Sequence, residues 1–245
     1  RQPQQQRQPQ QQRQPQQQRQ PQQQRQPQQQ RQPQQQRQPQ QQRLTQAERT
    51  EISDNRMLDA AVKLIIAQGP AGTSLKEVGL LAGYSRGLAG QRFGNKDKLF
   101  AFVLRQIGET WLSQLKKATQ DTTGLPAIHH ALDEHYRFCM EAPDQVRAFY
   151  TLWFESVNAG SELAAIIGHI HSRRHQDMVQ WIRTAPDITE DCKGRADAIA
   201  SLFCASVIGI VYFWLANPSQ LEETQQLHEN LKRTMTLFLA AEHRP

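Results

Sequence analysis

Seven perfect copies of the hexapeptide RQPQQQ occupy residues 1–42. They contain no apolar side chain, and a proline at every sixth position stops any helix from continuing. A segment of this composition buries too little surface to offset the entropy of ordering it. Residues 1–43 are therefore expected to be a disordered, partly polyproline-like tail, and the fold has to be built from residues 44–245. A six-residue period is also too short for a solenoid of stacked repeats.

Setting the repeat aside changes the charge. The chain has 29 lysines and arginines against 23 acids; without the seven arginines of the repeat, 22 cations face 23 acids. The basic character belongs to the tail, so a nucleic-acid partner has to be argued from local clusters of charge. The three cysteines (Cys139, Cys192, Cys204) are widely spaced and form no C-x-x-C pair. That argues against a disulfide framework or a zinc site and fits a reducing, cytoplasmic setting. The first methionine is Met57, so the sequence is expected to lack its true start or to be a fragment.

Within residues 44–245 the punctuation is helical throughout. Leu58, Ala61, Val62, Ile65 and Ile66 fall on one helical face, which Gly69-Pro70 ends. Ser74 and Glu77 read as a capping box opening a second, short helix that Gly83 closes. Ser85 is expected to cap a third short helix closed by Gly94, and Asn95 a fourth running toward Ala118. Further helices are expected over Leu125–Met140, around Val146–Val157, and from Gly160 to Trp181. The uncharged run Ile199–Ala216 reads as a helix buried on all sides. The last helix should start from a second capping box at Ser219–Glu222. Two short helices joined by a tight glycine turn make a helix-turn-helix. The rival reading of GYSRGLAGQRFGNKDK as a phosphate loop fails, because no strand precedes it and neither G-x-G-x-x-G nor G-x-x-x-x-G-K-[ST] is matched.

The run TSLKEVGLLAGYSRGLAGQRFGNKDKL, Thr73–Leu99, resembles the DNA-binding region of tetracycline-repressor (TetR) family regulators at Ser74, Val78, Ala82, Gly83, Ser85, Gly87, Phe93, Lys96 and Leu99. Motif likeness covers residues 52–104, and the WLANP turn at Trp214–Pro218 before a last amphipathic helix extends it by architecture. The resemblance implies an all-α chain in three parts: tail 1–43, helix-turn-helix head 44–96, and a larger helical body 97–245 for ligand binding and dimerisation. It implies no cofactor, no metal and no enzymatic activity. The expected partners are a double-stranded DNA operator, a small apolar effector and a second copy of the chain, with no membrane. The DNA-facing residues would be Ser74, Ser85, Arg86, Gly87, Leu88, Gln91, Arg92 and Lys96. Arg86, near the start of the third helix, suits guanine O6 and N7. Lys96 and Ser74 would meet phosphate. Gly90 stands where the family usually has a tyrosine, and Arg92 where it usually has a histidine or aromatic; Arg92 is expected to supply the missing reach to the backbone.

Fourteen of the 17 aromatics follow Phe100, and Phe138, Phe149, Trp153 and Trp181 are the candidates for an apolar pocket. Ser201, Ala205 and Gly209, spaced by four, form a small-residue stripe suited to a dimer seam, with Leu227, Leu231 and Phe238 on the last helix. Two rival classes remain. The groups His169/His171/His175 and His129/His130/His135 raise a metal-binding or enzymatic reading, weakened by the absence of H-E-x-x-H and of any neighbouring cysteine. Ile199–Ala216 raises a membrane anchor, at the lower limit of spanning length.

Overall fold

The computed structural model describes residues 44–157 and 162–240. The tail repeat and Gly160 lie outside the described residues. Among the described residues there are ten helices: α1 Gln46–Gly72, α2 Leu75–Leu81, α3 Leu88–Phe93, α4 Lys96–Ala118, α5 Gly124–Glu141, α6 Pro143–Ser156, α7 Glu162–Thr184, α8 Glu190–Gly194, α9 Ala196–Ala216 and α10 Leu221–Leu239. The only bridge of β type among the described residues joins Ile188 to Ala240.

The caps explain most of the boundaries. Thr45 and Glu48 exchange bonds in a capping box that opens α1. At Gly69 the backbone turns left-handed (φ 72°), which breaks the regular α1 before Pro70 starts a last turn. Ser74 Oγ accepts from the Glu77 N–H and caps α2, and Asn95 Oδ1 accepts from the Lys98 N–H at 2.9 Å and caps α4. Gly83 and Gly94, which close α2 and α3, both have positive φ, a conformation that favours glycine.

Three boundaries differ from the sequence expectation. Ser85 does not cap α3: the Leu88 N–H bonds its carbonyl in a turn, and α3 begins at Leu88 with Gly87 as the flanking residue. Ser219 does not open α10, because a turn from Asn217 to Gln220 places the start at Leu221 with no side-chain cap. The short helix α8, capped by Thr189, was not anticipated.

One hydrophobic cluster runs from Met57, Ala61 and Ile65 of α1 through Leu99, Val103 and Leu104 of α4 to Val146, Phe149 and Leu152 of α6, and ends on Val211 and Trp214 of α9. It is continuous across residues 96 and 97. A second cluster gathers Ile128 and Leu132 of α5, Met178 and Ile182 of α7, Phe203 and Val207 of α9, and Met235 and Leu239 of α10. All three cysteines are buried, and burial pushes the Cys139 thiol up to about 12.

α9 is apolar enough to cross a membrane by length and composition, with a mean hydropathy of 2.2. It is not buried on all sides. Ile199, Phe203, Val207, Ile210 and Trp214 face the core, whereas Leu202, Tyr212 and Phe213 are 64%, 61% and 56% exposed. The low moment of an all-apolar helix hid this division, since no polar face marks the exposed side.

Candidate nucleic-acid interface and ligand cavity

In the head, α2 and α3 cross closely. A Cβ on Gly79 would meet the Ser85 carbonyl at 2.9 Å and Ala89 Cβ at 3.6 Å. The Tyr84 N–H bonds the Gly79 carbonyl at 2.9 Å. Ala89 and Phe93 bury one side of α3, and Leu88 packs partly against the same core. The other side is open. Ser85, Arg86, Gly87 and Gln91 are exposed, and nothing lies within 4 Å of a Cβ built on Gly87 or Gly90. Arg86 has no ion pair among the described residues. The open side of α3 and the turn before it thus present one unengaged guanidinium, an amide and bare backbone, a set able to meet base edges and phosphates at close range.

The other expected DNA contacts have internal partners. Ser74 spends its hydroxyl on Glu77, donating to Oε2 at 2.6 Å. Arg92 forms an ion pair with Asp54 of α1, and its guanidinium lies 5.7 Å from the Phe93 ring centre. Lys96 Nζ donates to the Ala71 carbonyl at 2.8 Å and sits 5.8 Å from the Phe100 ring centre. Arg92 and Lys96 therefore brace α3 and α4 against α1. The exposed Lys76 of α2 and Lys98 of α4 are not among the contacts that the resemblance implies.

The body encloses two small adjoining cavities. The first, about 10 Å³, is walled by Ile107 and Trp111 of α4, His135 and Phe138 of α5, Phe149 and Tyr150 of α6, and Ile170 and Arg174 of α7. The second, about 20 Å³, shares Trp111, His135 and Arg174 and adds Trp181 and Phe203 among others. Of the four pocket candidates, Phe138 and Phe149 line the first and Trp181 the second. Trp153 lines neither; it is stacked on Tyr150 at 5.4 Å. Trp111, which stacks on Phe138 at 5.3 Å, was missed.

Arg174 was missed as well, and His135 was weighed only as a metal ligand, although the sequence carries the signal of both. Leu163, Ile167, Ile170, Arg174, Met178 and Ile182 are the buried residues of α7 and fall on one stripe. An arginine at a core position of such a stripe is rarely left without purpose. His135 falls likewise on the apolar face of α5.

The histidine tautomers follow from the bonding. His228 Nδ1 lies 2.8 Å from the Thr224 carbonyl, which can only accept, so that nitrogen carries the proton. His228 Nε2 then accepts from His135 Nδ1 at 2.8 Å. Both rings are neutral, and His135 Nε2 is left as an acceptor. Burial holds the His135 pKa well below its usual value, helped by His228 and Arg174; burial is also the main cause of the lowering at His228. Burial raises the Tyr150 hydroxyl pKa, against which the neighbouring Arg174 charge pulls.

Among the described residues no group of three or more histidines, cysteines and acids stands together to hold a metal. His175 contacts the Asp197 carbonyl at 3.1 Å, His129 contacts Thr236 at 2.9 Å, and His135 turns instead to His228.

Residues 57–103, from α1 into α4, match the family model described as bacterial regulatory proteins, tetR family. The HTH-type transcriptional repressor Rv3405c of Mycobacterium tuberculosis is 31% identical over 86 residues, 35% of this chain and 44% of that protein. The chain thus matches less than half the length of that relative. Similar solved structures span far more of the chain. A transcriptional regulator from Saccharomonospora viridis in complex with choline has a TM-score of 0.68 at 14% identity, covering 78% of this chain and all of that one. A SmeT–triclosan complex has a TM-score of 0.64 at 18% identity, covering 78% of this chain and 92% of the other. At these identities the structural likeness establishes the fold.

Proposed function

The chain is a TetR-family helix-turn-helix protein, and from that premise we propose that it is a ligand-responsive transcriptional repressor of the cytoplasm. It binds a palindromic operator as a homodimer and is released by a small, largely apolar effector. The observation that carries the reading is the exposed surface of α3 and of the turn that leads into it, where Arg86, Gln91 and the open backbone of Gly87 and Gly90 are free to enter a major groove. Repression is supported by the repressor among its relatives, and an effector by choline and triclosan in the two similar structures.

Residues 44–96 act as the reading head and 97–245 as the sensing and dimerising body. The seam is the exposed apolar side of α9 with α10. Ser201 and Ala205 are exposed and Gly209 half-buried, beside Leu202, Tyr212 and Phe213. Leu227 and Leu231 are half-buried, while Phe238 and Leu237 are 38% and 63% exposed. A seam of small residues flanked by large apolar ones lets helices of two copies approach closely, and a two-fold dimer matches a two-fold site. The effector lodges beside Trp111 on α4. Because α4 begins at Lys96, against the head, displacement of Trp111 moves the reading helices. A coupling of roughly 1–3 kcal/mol suffices to change operator occupancy severalfold or more.

The test is selection of random duplex DNA on the purified protein. The expected product is an inverted repeat whose half-sites are about one helical turn apart. Failure to enrich any sequence overturns the reading.

A further inference from the structure

Arg174 lies on the inner stripe of α7 and is 8% exposed. Among the described residues it is the only charged side chain in the wall of either cavity, and it belongs to both. None of the ion pairs among the described residues includes it. The buried Glu134 on α5 is paired with Arg137 instead. A guanidinium does not shed its proton in a protein, so burial here cannot be relieved by neutralisation as it is for lysine or histidine. The adjacent His135 is neutral by the tautomer argument above and supplies no negative charge. A buried cation with no anion beside it is a poor structural choice, since an apolar side chain of similar size fills the same space without the desolvation.

We propose that Arg174 is the anchor for the effector's own charge, and that the effector is a small hydrophobic monocarboxylic acid. This rests on the ligand-responsive reading above and names the ligand class for that site. The planar guanidinium meets a carboxylate through two parallel N–H bonds. The protonated Tyr150 hydroxyl stands beside it as a further donor. The apolar part of the acid lies among Trp111, Phe138 and Phe149, where an aryl ring or a short alkyl chain finds aromatic faces. One buried cation balances one negative charge, which favours a carboxylate over a phosphate dianion. The cavities of about 10 and 20 Å³ hold little more than a water each. Entry of the acid therefore requires their shared wall to swing, and that wall includes Trp111 of α4.

The experiment uses matched acid and amide pairs on the full chain: benzoate with benzamide, phenylacetate with phenylacetamide, octanoate with octanamide, and phenyl phosphate alongside. Tryptophan fluorescence and melting temperature report binding. At least one acid is expected to bind ten or more times tighter than its amide. In Arg174→Met that preference should disappear, while the melting temperature without ligand stays level or rises. The acid–amide comparison on the unaltered chain keeps the test independent of how the variant folds. Equal binding of acids and amides, no binding by any acid, acid binding retained in Arg174→Met, or tighter binding of phenyl phosphate than of benzoate would each overturn the proposal. Operator release is read separately. Acid binding that leaves DNA occupancy unchanged supports the anion site and overturns ligand control; a chain that selects no DNA but prefers acids does the same.

Discussion

Arg86 and Lys96 make different forecasts at the scale of single residues. Arg86 is unengaged, so Arg86→Ala should cost about 1–3 kcal/mol on the selected operator and relax the choice at one position per half-site. Lys96 is tied to the Ala71 carbonyl, so Lys96→Ala should loosen the junction of α1 with α4 and weaken all sequences about equally. Quantitative binding to operator and to scrambled DNA tells the two apart; an equal loss on both for Arg86→Ala would remove its base-reading role. A second prediction concerns pH. His135 and His228 are neutral and buried, with pKa values below the usual 6.5. Below about pH 6.5 the unfolded chain gains protons at both positions that the folded chain does not accept. Stability therefore falls with falling pH, by up to about 1.4 kcal/mol per pH unit for each imidazole, until the folded-state values are reached. Above that range the pair adds no pH dependence. Denaturant melts from pH 7.5 to 5 should show this limb, reduced in a His135→Leu/His228→Leu double variant. Caps such as Ser74 and Asn95 were legible in the sequence because their partners lie three residues away. The partners of Arg92 and Lys96 and the surroundings of Arg174 are set by helices distant in the chain, and no local pattern discloses them.

Glycines decide how closely the elements approach, and each makes a different forecast. Gly79→Ala would press a methyl onto the Ser85 carbonyl at 2.9 Å. Backbone gives little, so the head should lose about 1–3 kcal/mol, a cost of overpacking, measurable as a lower melting point and weaker DNA binding. Gly209 is the opposite case. Nothing lies within 4 Å of a Cβ there, so Gly209→Leu should leave the single subunit's helix intact or firmer. If α9 forms the seam, the leucine is overpacked only in the dimer, by roughly 1–3 kcal/mol at each copy. Light scattering should then show monomers that are well folded by circular dichroism. A dimer of undiminished strength would place the seam elsewhere. Helix positions were largely readable because glycine, proline and cap residues bracket them. The failures at Ser85 and Ser219 share a cause: each stands in a short turn whose backbone bond delays the helix, which starts at Leu88 and at Leu221. The exposed half of α9 was unreadable for a different reason, since an all-apolar helix has no polar face to mark its outer side.

Taken as a whole molecule, the chain is basic only through its repeat, residues 1–42, which carry seven arginines; the rest of the sequence has 22 cations and 23 acids. Long-range attraction to DNA should then depend on the repeat. Each phosphate neutralised contributes about −0.9 to the slope of log K against log salt. Deleting residues 1–42 is expected to flatten that slope for operator and random DNA alike, with random DNA losing at least as much affinity. An unchanged slope leaves the repeat without a part in binding. The buried cysteines bear on how such motions can be watched. Cys139, Cys192 and Cys204 are 1%, 0% and 1% exposed, and they are the only thiols in the sequence. A maleimide added to the native protein should find nothing to alkylate. A cysteine introduced on the outer face of α3, at Gln91, would then be the sole reactive handle per subunit, and a spin label there would measure the distance between the two heads directly, with and without an acid in the body.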